Sequence, residues 1–354
     1  MTHRDRGSAV PWPAVFDRLT QRKDLTEKLA AGALAAILSG EASDAQIAAF
    51  AVALRAKGET VGELSVLVRT MLEFATRVTV NVEGVLIDTC GTGGDRAGTV
   101  NVSTMAALIA AANGASVAKH GNRAASSQCG SADVLEQLGV VIDLGPRGVA
   151  QCIEDVGIGF CFAPIYHPAM RFAASARRDV GIATTFNFLG PLANPAGVTR
   201  QTVGVSDPQM AERVVGTLAE LGSEHALVFY GHDGLDELTT TTMSTVFELR
   251  DGGITRYDVD PRSVGLPLVE PSDLLGGDAA CNAGIVHEVL AGKPGPVRDV
   301  VLLNGAAALV VAGIADDLGD GVERAAEAID DGRAAAVLEA WVRTSVAARD
   351  AGSG

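Results

Sequence analysis

The sequence predicts an α/β protein: a small all-helical N-terminal domain followed by a large α/β domain with a central, mostly parallel sheet surrounded by helices. Three observations carry that prediction. Apolar residues recur at three-to-four spacing from about Trp12 to Thr76, short β-branched runs alternate with helical stretches after Val78, and the pattern turns helical again from Asp278 to the end. With 354 residues, 47% of them hydrophobic and only 20% charged, the chain has length for about two domains and is too apolar to be disordered.

The opening MTHRDRGSAVPWP carries charges but no following apolar core, so it does not read as a secretory signal, and residues 1–11 are expected to be a flexible tail. The segments LTEKLAAGALAAILSG, DAQIAAFAVALRAKG and TVGELSVLVRTMLEFA then make the helical unit, with Asp44 and Thr60 as N-caps and Gly40 and Gly58 as stops. In the α/β part VLIDTC precedes STMAALIAAANG, SVAKH precedes SADVLEQLG, and QTVGVS precedes PQMAERVVGTLAELG. HALVFYG follows, and TVFELRDGGITRYDV reads as a hairpin turning at Asp251-Gly252-Gly253. The apolar run from Val300 to Ala315 is shorter than the roughly 18 to 20 residues of a membrane span, and Asn304 and Gly305 interrupt it, so it reads as a buried helix.

Charge excludes whole classes of partner. Lys plus Arg number 28 against 43 Asp plus Glu, a formal charge of -15. That lacks the electrostatic footprint of a general nucleic-acid binder and repels anionic membranes, so neither partner is expected. An anionic substrate would need a local basic pocket. The five cysteines, Cys90, Cys129, Cys152, Cys161 and Cys281, form no CxxC pair and no metal-ligand spacing with histidine, which fits a reducing, cytoplasmic setting.

Four segments carry candidate chemistry. DTCGTGGDRAGTVNVST, Asp88 to Thr104, is a glycine-rich turn between a strand and a helix, presenting backbone N–H groups and a helix N-terminus to a phosphate. It is neither a Walker A loop nor a dinucleotide fingerprint. Asn101, Ser103 and Thr104 could simply cap the helix, but hydroxyl and amide residues are denser than capping needs. KHGNRAASSQCGSAD, Lys119 to Asp133, puts Lys119, His120, Asn122 and Arg123 at a strand's carboxyl end with Ser126, Ser127 and Ser131 beyond. This is the local basic pocket, where donors converge on phosphate or carboxylate oxygens; Asp133 salt-bridges or caps the next helix. In the third segment, Ala163 to Pro195, Arg171, Arg177 and Arg178 offer forks for a carboxylate, spacing does not choose between Arg177 and Arg178, and Asn187, Asn194 and the prolines shape a turn. In GHDGLDELTTTTMST, Asp236 and Glu237 are adjacent acids at a strand's end, oxygen ligands of the kind Mg2+ takes one or two at a time. His232 is left without a role.

Together and in order, GTGGD, NVST, KHGNRAASSQCGSAD, FNFLGPLANP and DGLDE closely resemble the anthranilate phosphoribosyltransferases of tryptophan biosynthesis, from about Trp12 to about Val346. The resemblance implies that family's nucleoside phosphorylase/phosphoribosyltransferase-type fold. It implies a helical domain at 12–78 with 165–192 packed onto it, an α/β domain at 79–164 and 193–346, a tail at 347–354, and a homodimer through the helical part. The implied substrates are anthranilate and 5-phosphoribosyl 1-pyrophosphate (PRPP). The PRPP site it implies comprises Gly91, Gly94, Asp95, Thr99, Asn101, Val102, Ser103, Thr104, Lys119, His120, Gly121, Asn122, Arg123, Ala124, Ala125, Ser126, Ser127 and Ser131. Gly91, Asn122 and Arg177 would recognise anthranilate, Lys119, Asn122 and Arg177 would be catalytic, and Ser103, Asp236 and Glu237 would hold two Mg2+ ions. Arg96 departs from the family, which very often has glycine after GTGGD, and that bears on the loop's conformation. No general base stands out.

Rival readings are a pyrimidine-nucleoside phosphorylase, which carries a KHSTGG-type loop where this chain has GTGGD, a non-catalytic paralogue binding nucleic acid, and a transferase with another aromatic amine as acceptor.

Overall fold

The computed structural model describes residues 10–124 and 128–352. The chain opens with four helices, Trp12–Thr20, Glu27–Leu38, Asp44–Lys57 and Val61–Glu73. Two of them start on capping boxes, Ser43 with Gln46 and Thr60 with Glu63. The sequence pointed to Asp44, but Ser43 has the extended backbone and Asp44 is the first helical residue. Gly40 and Gly58 follow helix ends with φ of 74° and 89°.

A seven-stranded sheet follows: β1 Leu86–Gly91, β2 Ser116–Gly121, β3 Ile158–Phe162, β4 Arg200–Gly204, β5 His225–Gly231, β6 Ser244–Arg250 and β7 Gly253–Val259, in the order β3-β2-β1-β4-β5-β6-β7. β1 to β5 are parallel, and β6 and β7 add an antiparallel ribbon at one edge. The β6–β7 hairpin pairs Arg250 with Gly253, and Asp251 and Gly252 turn it with φ of 51° and 76°. β3 is a strand that the sequence pattern did not mark. The final helix, Arg333–Gly352, continues beyond Val346, where a tail was expected; of the expected tail at 1–11, residues 1–9 lie outside the described residues.

Two apolar cores lie on opposite faces of the sheet. One is built with helices Val102–Ala112, Pro146–Val156 and the C-terminal helices, including Pro296–Ala312. The other joins Val203, Ala226 and Val228 of the sheet to helix Pro208–Glu220 and the N-terminal helices. After β3 the chain crosses to that second side through Ala163–Tyr166, Pro168–Ala173, Ala174–Val180 and Thr185–Leu192, which pack against three of the N-terminal helices. Among the described residues no helix is long and apolar enough to cross a membrane.

Candidate active site

Gly91, Lys119, His120, Asp236 and Glu237 lie in or just beyond the carboxyl ends of β1, β2 and β5, the edge where parallel sheets receive ligands, whereas Arg177 is carried on the crossover helix Ala174–Val180. Gly91 and Gly204 end β1 and β4 in register. The loop after β5 crosses above them: a Cβ on Gly204 would collide with the Asp236 main-chain oxygen, and one on Gly91 with the Asp236 carboxylate. Glycine is needed at both positions because another segment occupies the space. Asp236 Oδ2 then accepts a hydrogen bond from the Gly93 N–H at 2.7 Å.

Burial sets the electrostatics. Asp236 is 9% exposed, and desolvation, reinforced by the nearby Asp95 carboxylate, pushes its pKa up to about 7. Burial and the Asp236 charge likewise hold the Glu237 carboxyl well above the usual range. Asp95 is raised by the same desolvation. Glu237 Oε1 accepts from the Ser103 N–H at 3.3 Å, at the start of helix Val102–Ala112. Lys119, 1% exposed at the end of β2, donates to the Thr89 carbonyl at 2.6 Å and the Ser103 hydroxyl at 3.3 Å. Burial lowers its pKa while the Asp88 charge opposes that. Lys119, Ser103, Glu237 and Asp236 therefore form one connected cluster.

Asn101 precedes that helix but does not cap it with its side chain. Its Nδ2 donates to the Cys129 carbonyl at 3.2 Å and its Oδ1 accepts from Asn282 Nδ2 at 2.9 Å, tying the NVST segment to the loop after β2. Val102 is buried, and Thr104 is buried with no hydrogen-bond partner for its hydroxyl among the described residues. Thr99 forms a β-bridge with Leu275, while Gly94 is exposed with φ 87°. Arg96 is exposed and adopts φ 58°, so the left-handed backbone persists where the family favours glycine.

The loop after β2 is pinned by Asp133, which both caps and salt-bridges. Its Oδ2 accepts from Gly130 N at 2.9 Å and Ala124 N at 3.0 Å, and its Oδ1 pairs with Arg123 at 2.8 Å. Arg123 also pairs with Glu136, so its guanidinium is engaged on the surface. Asn122 is exposed, and its carbonyl accepts from Ser131 Oγ at 3.3 Å, close over Gly121. Ala125, Ser126 and Ser127 lie outside the described residues.

His120 Nδ1 faces the Gly190 carbonyl at 3.0 Å and His167 Nε2 faces the Ala193 carbonyl at 2.9 Å. A carbonyl only accepts, so each facing nitrogen carries the proton and the other ring nitrogen is bare and buried. Burial depresses the two pKa values to about 3 and about 4. Both rings are neutral at physiological pH and weakly basic. Arg177, half-buried in helix Ala174–Val180, lies 5.7 Å from the Phe186 ring centroid with no acidic partner among the described residues, whereas Arg178 is exposed. Asn187 does not shape a turn between elements: it sits in the first turn of helix Thr185–Leu192 and accepts from Thr184 N as the capping box of that helix, while Asn194 accepts from Ala196 N in the turn that follows.

Three residues of the site are not among those the sequence points to: Gly93, Gly204 and Asp88. Gly93 lies inside the GTGGD motif, and Gly204 inside QTVGVS. Asp88 opens the first segment; it is fully buried and accepts from His120 N at 3.1 Å and Asn194 Nδ2 at 2.8 Å.

Asp236, buried, and Glu237, half-buried, suit a hard cation, because two adjacent carboxyls with raised pKa values, beside the single charge of Lys119, are better balanced as carboxylates when a cation binds. Among the described residues no group of three or more His, Cys, Asp or Glu forms a preformed metal cage. Mg2+ commonly uses one or two carboxylates and takes its remaining oxygens from phosphates and water.

Residues 83–335 match the model of the glycosyl transferase family a/b domain, and residues 13–75 match the helical bundle domain of the same family. The anthranilate phosphoribosyltransferase of Acidothermus cellulolyticus is 56% identical over 344 residues, 96% of each chain. The crystal structure of the Thermus thermophilus anthranilate phosphoribosyltransferase superposes with a TM-score of 0.88 at 39% identity, covering 94% of this chain and 99% of that one. The Saccharomyces cerevisiae enzyme in complex with PRPP and Mg gives a TM-score of 0.88 at 27% identity, covering 96% and 99%. On sequence, fold and site together, the chain belongs to the anthranilate phosphoribosyltransferase family.

Proposed function

We propose that this chain transfers the phosphoribosyl group of PRPP to the amine of anthranilate, releasing pyrophosphate, with the residues above in defined roles. The observation that carries the reading is the connected cluster of Lys119, Ser103, Glu237 and Asp236 at the carboxyl edge of the sheet. The donor site comprises the glycine turn from Gly91 through Asp95, Thr99 and the Asn101–Thr104 segment, Lys119, and the loop from His120 through Ser127 with Ser131. Arg177, Asn122 and Gly91 recognise anthranilate; Arg177 supplies a fork for its carboxylate.

The amine is already a nucleophile, so catalysis rests on departure of pyrophosphate from the anomeric carbon and on tolerating oxocarbenium-like charge. Ser103, Asp236 and Glu237 would hold two Mg2+ ions, which when bound neutralise the diphosphate and raise its leaving ability. Lys119 adds a cation, the turn adds backbone donors, and Arg177 with Asn122 orients the amine. The low basicity of His120 supports a mechanism without a strong protein base. We further infer a homodimer through the helical domain, which rests on the family resemblance. The same reading divides the chain into a helical domain at 12–78 with 165–192 and an α/β domain, and places it in the cytoplasm.

The test is loss of anthranilate fluorescence on mixing protein, PRPP and Mg2+. Rapid loss that EDTA and Asp236→Asn both abolish is the expected result. No loss in a protein that still binds PRPP would overturn the acceptor and direct attention to other aromatic amines.

A further inference from the structure

Asn304 interrupts an otherwise apolar buried run in helix Pro296–Ala312 and is itself 3% exposed. Its side chain pairs with the backbone of one residue in two directions. Oδ1 accepts from Leu238 N at 3.0 Å, and Nδ2 donates to the Leu238 carbonyl at 2.8 Å and to the Val300 carbonyl at 2.9 Å. Leu238 directly follows Asp236 and Glu237, and its side chain is fully buried. Without Asn304 both Leu238 backbone groups would lie buried and unpaired.

We propose that Asn304 is a positioning residue that holds the Asp236–Glu237 pair in place for metal binding by clamping the backbone of Leu238. The inference rests on the metal role proposed above for those acids. Two adjacent carboxylates, Asp236 buried and Glu237 half-buried, repel each other, so the segment carrying them needs an anchor before a cation arrives. The rest of that loop is braced from within, by Asp233 accepting from Thr239 and Thr241 at 2.7 and 2.5 Å. Asn304 braces it from the core. The same helix also backs the other side of the cluster. A Cβ on Gly305 would stand 3.1 Å from the Ile109 side chain, so the helix runs close against Val102–Ala112, which presents Ser103. Asn304 thereby fixes the Glu237 carboxylate relative to the Ser103 N–H.

Mn2+ binding in the presence of PRPP and the absence of anthranilate, read from the electron paramagnetic resonance of free Mn2+ against a protein-free PRPP blank, tests this without turnover. Wild type, Asp236→Asn, Asn304→Leu and Asn304→Ser would be compared, with PRPP affinity in EDTA measured by calorimetry alongside. Asn304→Leu is expected to weaken Mn2+ binding about tenfold or more. Asn304→Ser, which keeps one hydroxyl, should fall between it and wild type, and PRPP affinity in EDTA should stay within about twofold. A general loosening of the fold would instead lower both affinities and overturn the proposal, as would a folded Asn304→Ser or Asn304→Leu variant with wild-type Mn2+ affinity. If Asp236→Asn binds Mn2+ like wild type, the metal role of the acids fails, a result separate from failure at Asn304.

Discussion

At Gly204 a single hydrogen decides where Asp236 stands, because the Asp236 carbonyl occupies the space a Cβ would take. Gly204→Ala must displace main chain, and a shift near 1 Å at reacting groups is worth about a hundredfold in rate. We expect a loss of that order in kcat/KM for PRPP, measured under steady-state conditions; Gly91→Ala, which meets the more adaptable Asp236 carboxylate, should lose less. Asp236 also links stability to pH. Its folded pKa of about 7 lies above the unfolded value of roughly 3.9, so the folded state binds the proton more tightly. Its contribution to apo stability is complete below about pH 4 and is lost as pH rises through 7. Asp236→Asn should therefore have a higher Tm than wild type at about pH 8 without Mg2+, and the gap should narrow through about pH 5 and close only below about pH 4; a gap independent of pH would contradict the shift. At Arg96, a left-handed backbone in a non-glycine residue carries strain of about 1 kcal/mol. Arg96→Gly should leave the folding midpoint nearly unchanged, since relief of strain offsets added unfolded-state entropy, whereas β-branched Arg96→Val should lower it. Lys119, Asp236 and Glu237 were legible as chemistry because their types cluster beside glycine and strand ends. Gly204 was not, because the atom it must avoid belongs to a loop that follows the next strand.

Among elements, the helix Val61–Glu73 shows how a cap becomes a tertiary hub. Glu63 completes the box with Thr60 N at 2.9 Å, accepts from Leu25 N at 2.8 Å, and pairs with Lys57 at 2.7 Å, all nearly out of solvent. Glu63→Ala would leave Lys57, whose side chain is 3% exposed, with only the exposed Asp24, and the Leu25 N–H without an acceptor. A loss of about 3 kcal/mol in urea unfolding is expected, with Glu63→Gln losing less because its carbonyl still accepts. Thr60 and Glu63 were readable as a start signal from spacing alone. β3, by contrast, sits at the sheet edge and reads IGFCF, a short apolar run with one β-branched residue and no alternation, so nothing in its pattern separates a strand from a buried turn. Its identity comes from pairing with β2, a tertiary fact. The Ser43 and Asp44 ambiguity has a different origin: both types cap helices, but Ser43 stands three residues before Gln46, the same capping-box spacing as Thr60 and Glu63, and that spacing selects Ser43.

Across the whole molecule, the helical unit is not a separate core. Leu34, Ile37, Leu54, Leu64 and Leu67 of the N-terminal helices belong to the same apolar cluster as Val203, Val214 and Val228 of the α/β part. A polar link crosses the same boundary, from Arg55 to Asp207; Arg55 also pairs at 3.2 Å with Glu59, which accepts from Thr185 Oγ1 of the crossover segment at 2.5 Å. Glu59 is 1% exposed, so its charge is compensated only while the crossover segment and Arg55 stay in place. Periodicity showed the helices and their apolar stripes but not which surface those stripes cover, since the partner residues lie far along the chain. The shared core implies that the helices cannot retain their packing once the sheet face opens. Calorimetry of the whole chain should then give one cooperative transition, with van't Hoff and calorimetric enthalpies in agreement. A fragment of residues 1–78 should lack cooperative thermal unfolding, because it exposes the face that helix Pro208–Glu220 covers. Two resolved transitions, or a fragment that melts cooperatively by itself, would show that the helical unit has its own sufficient core and that the links at Arg55 and Glu59 only dock it.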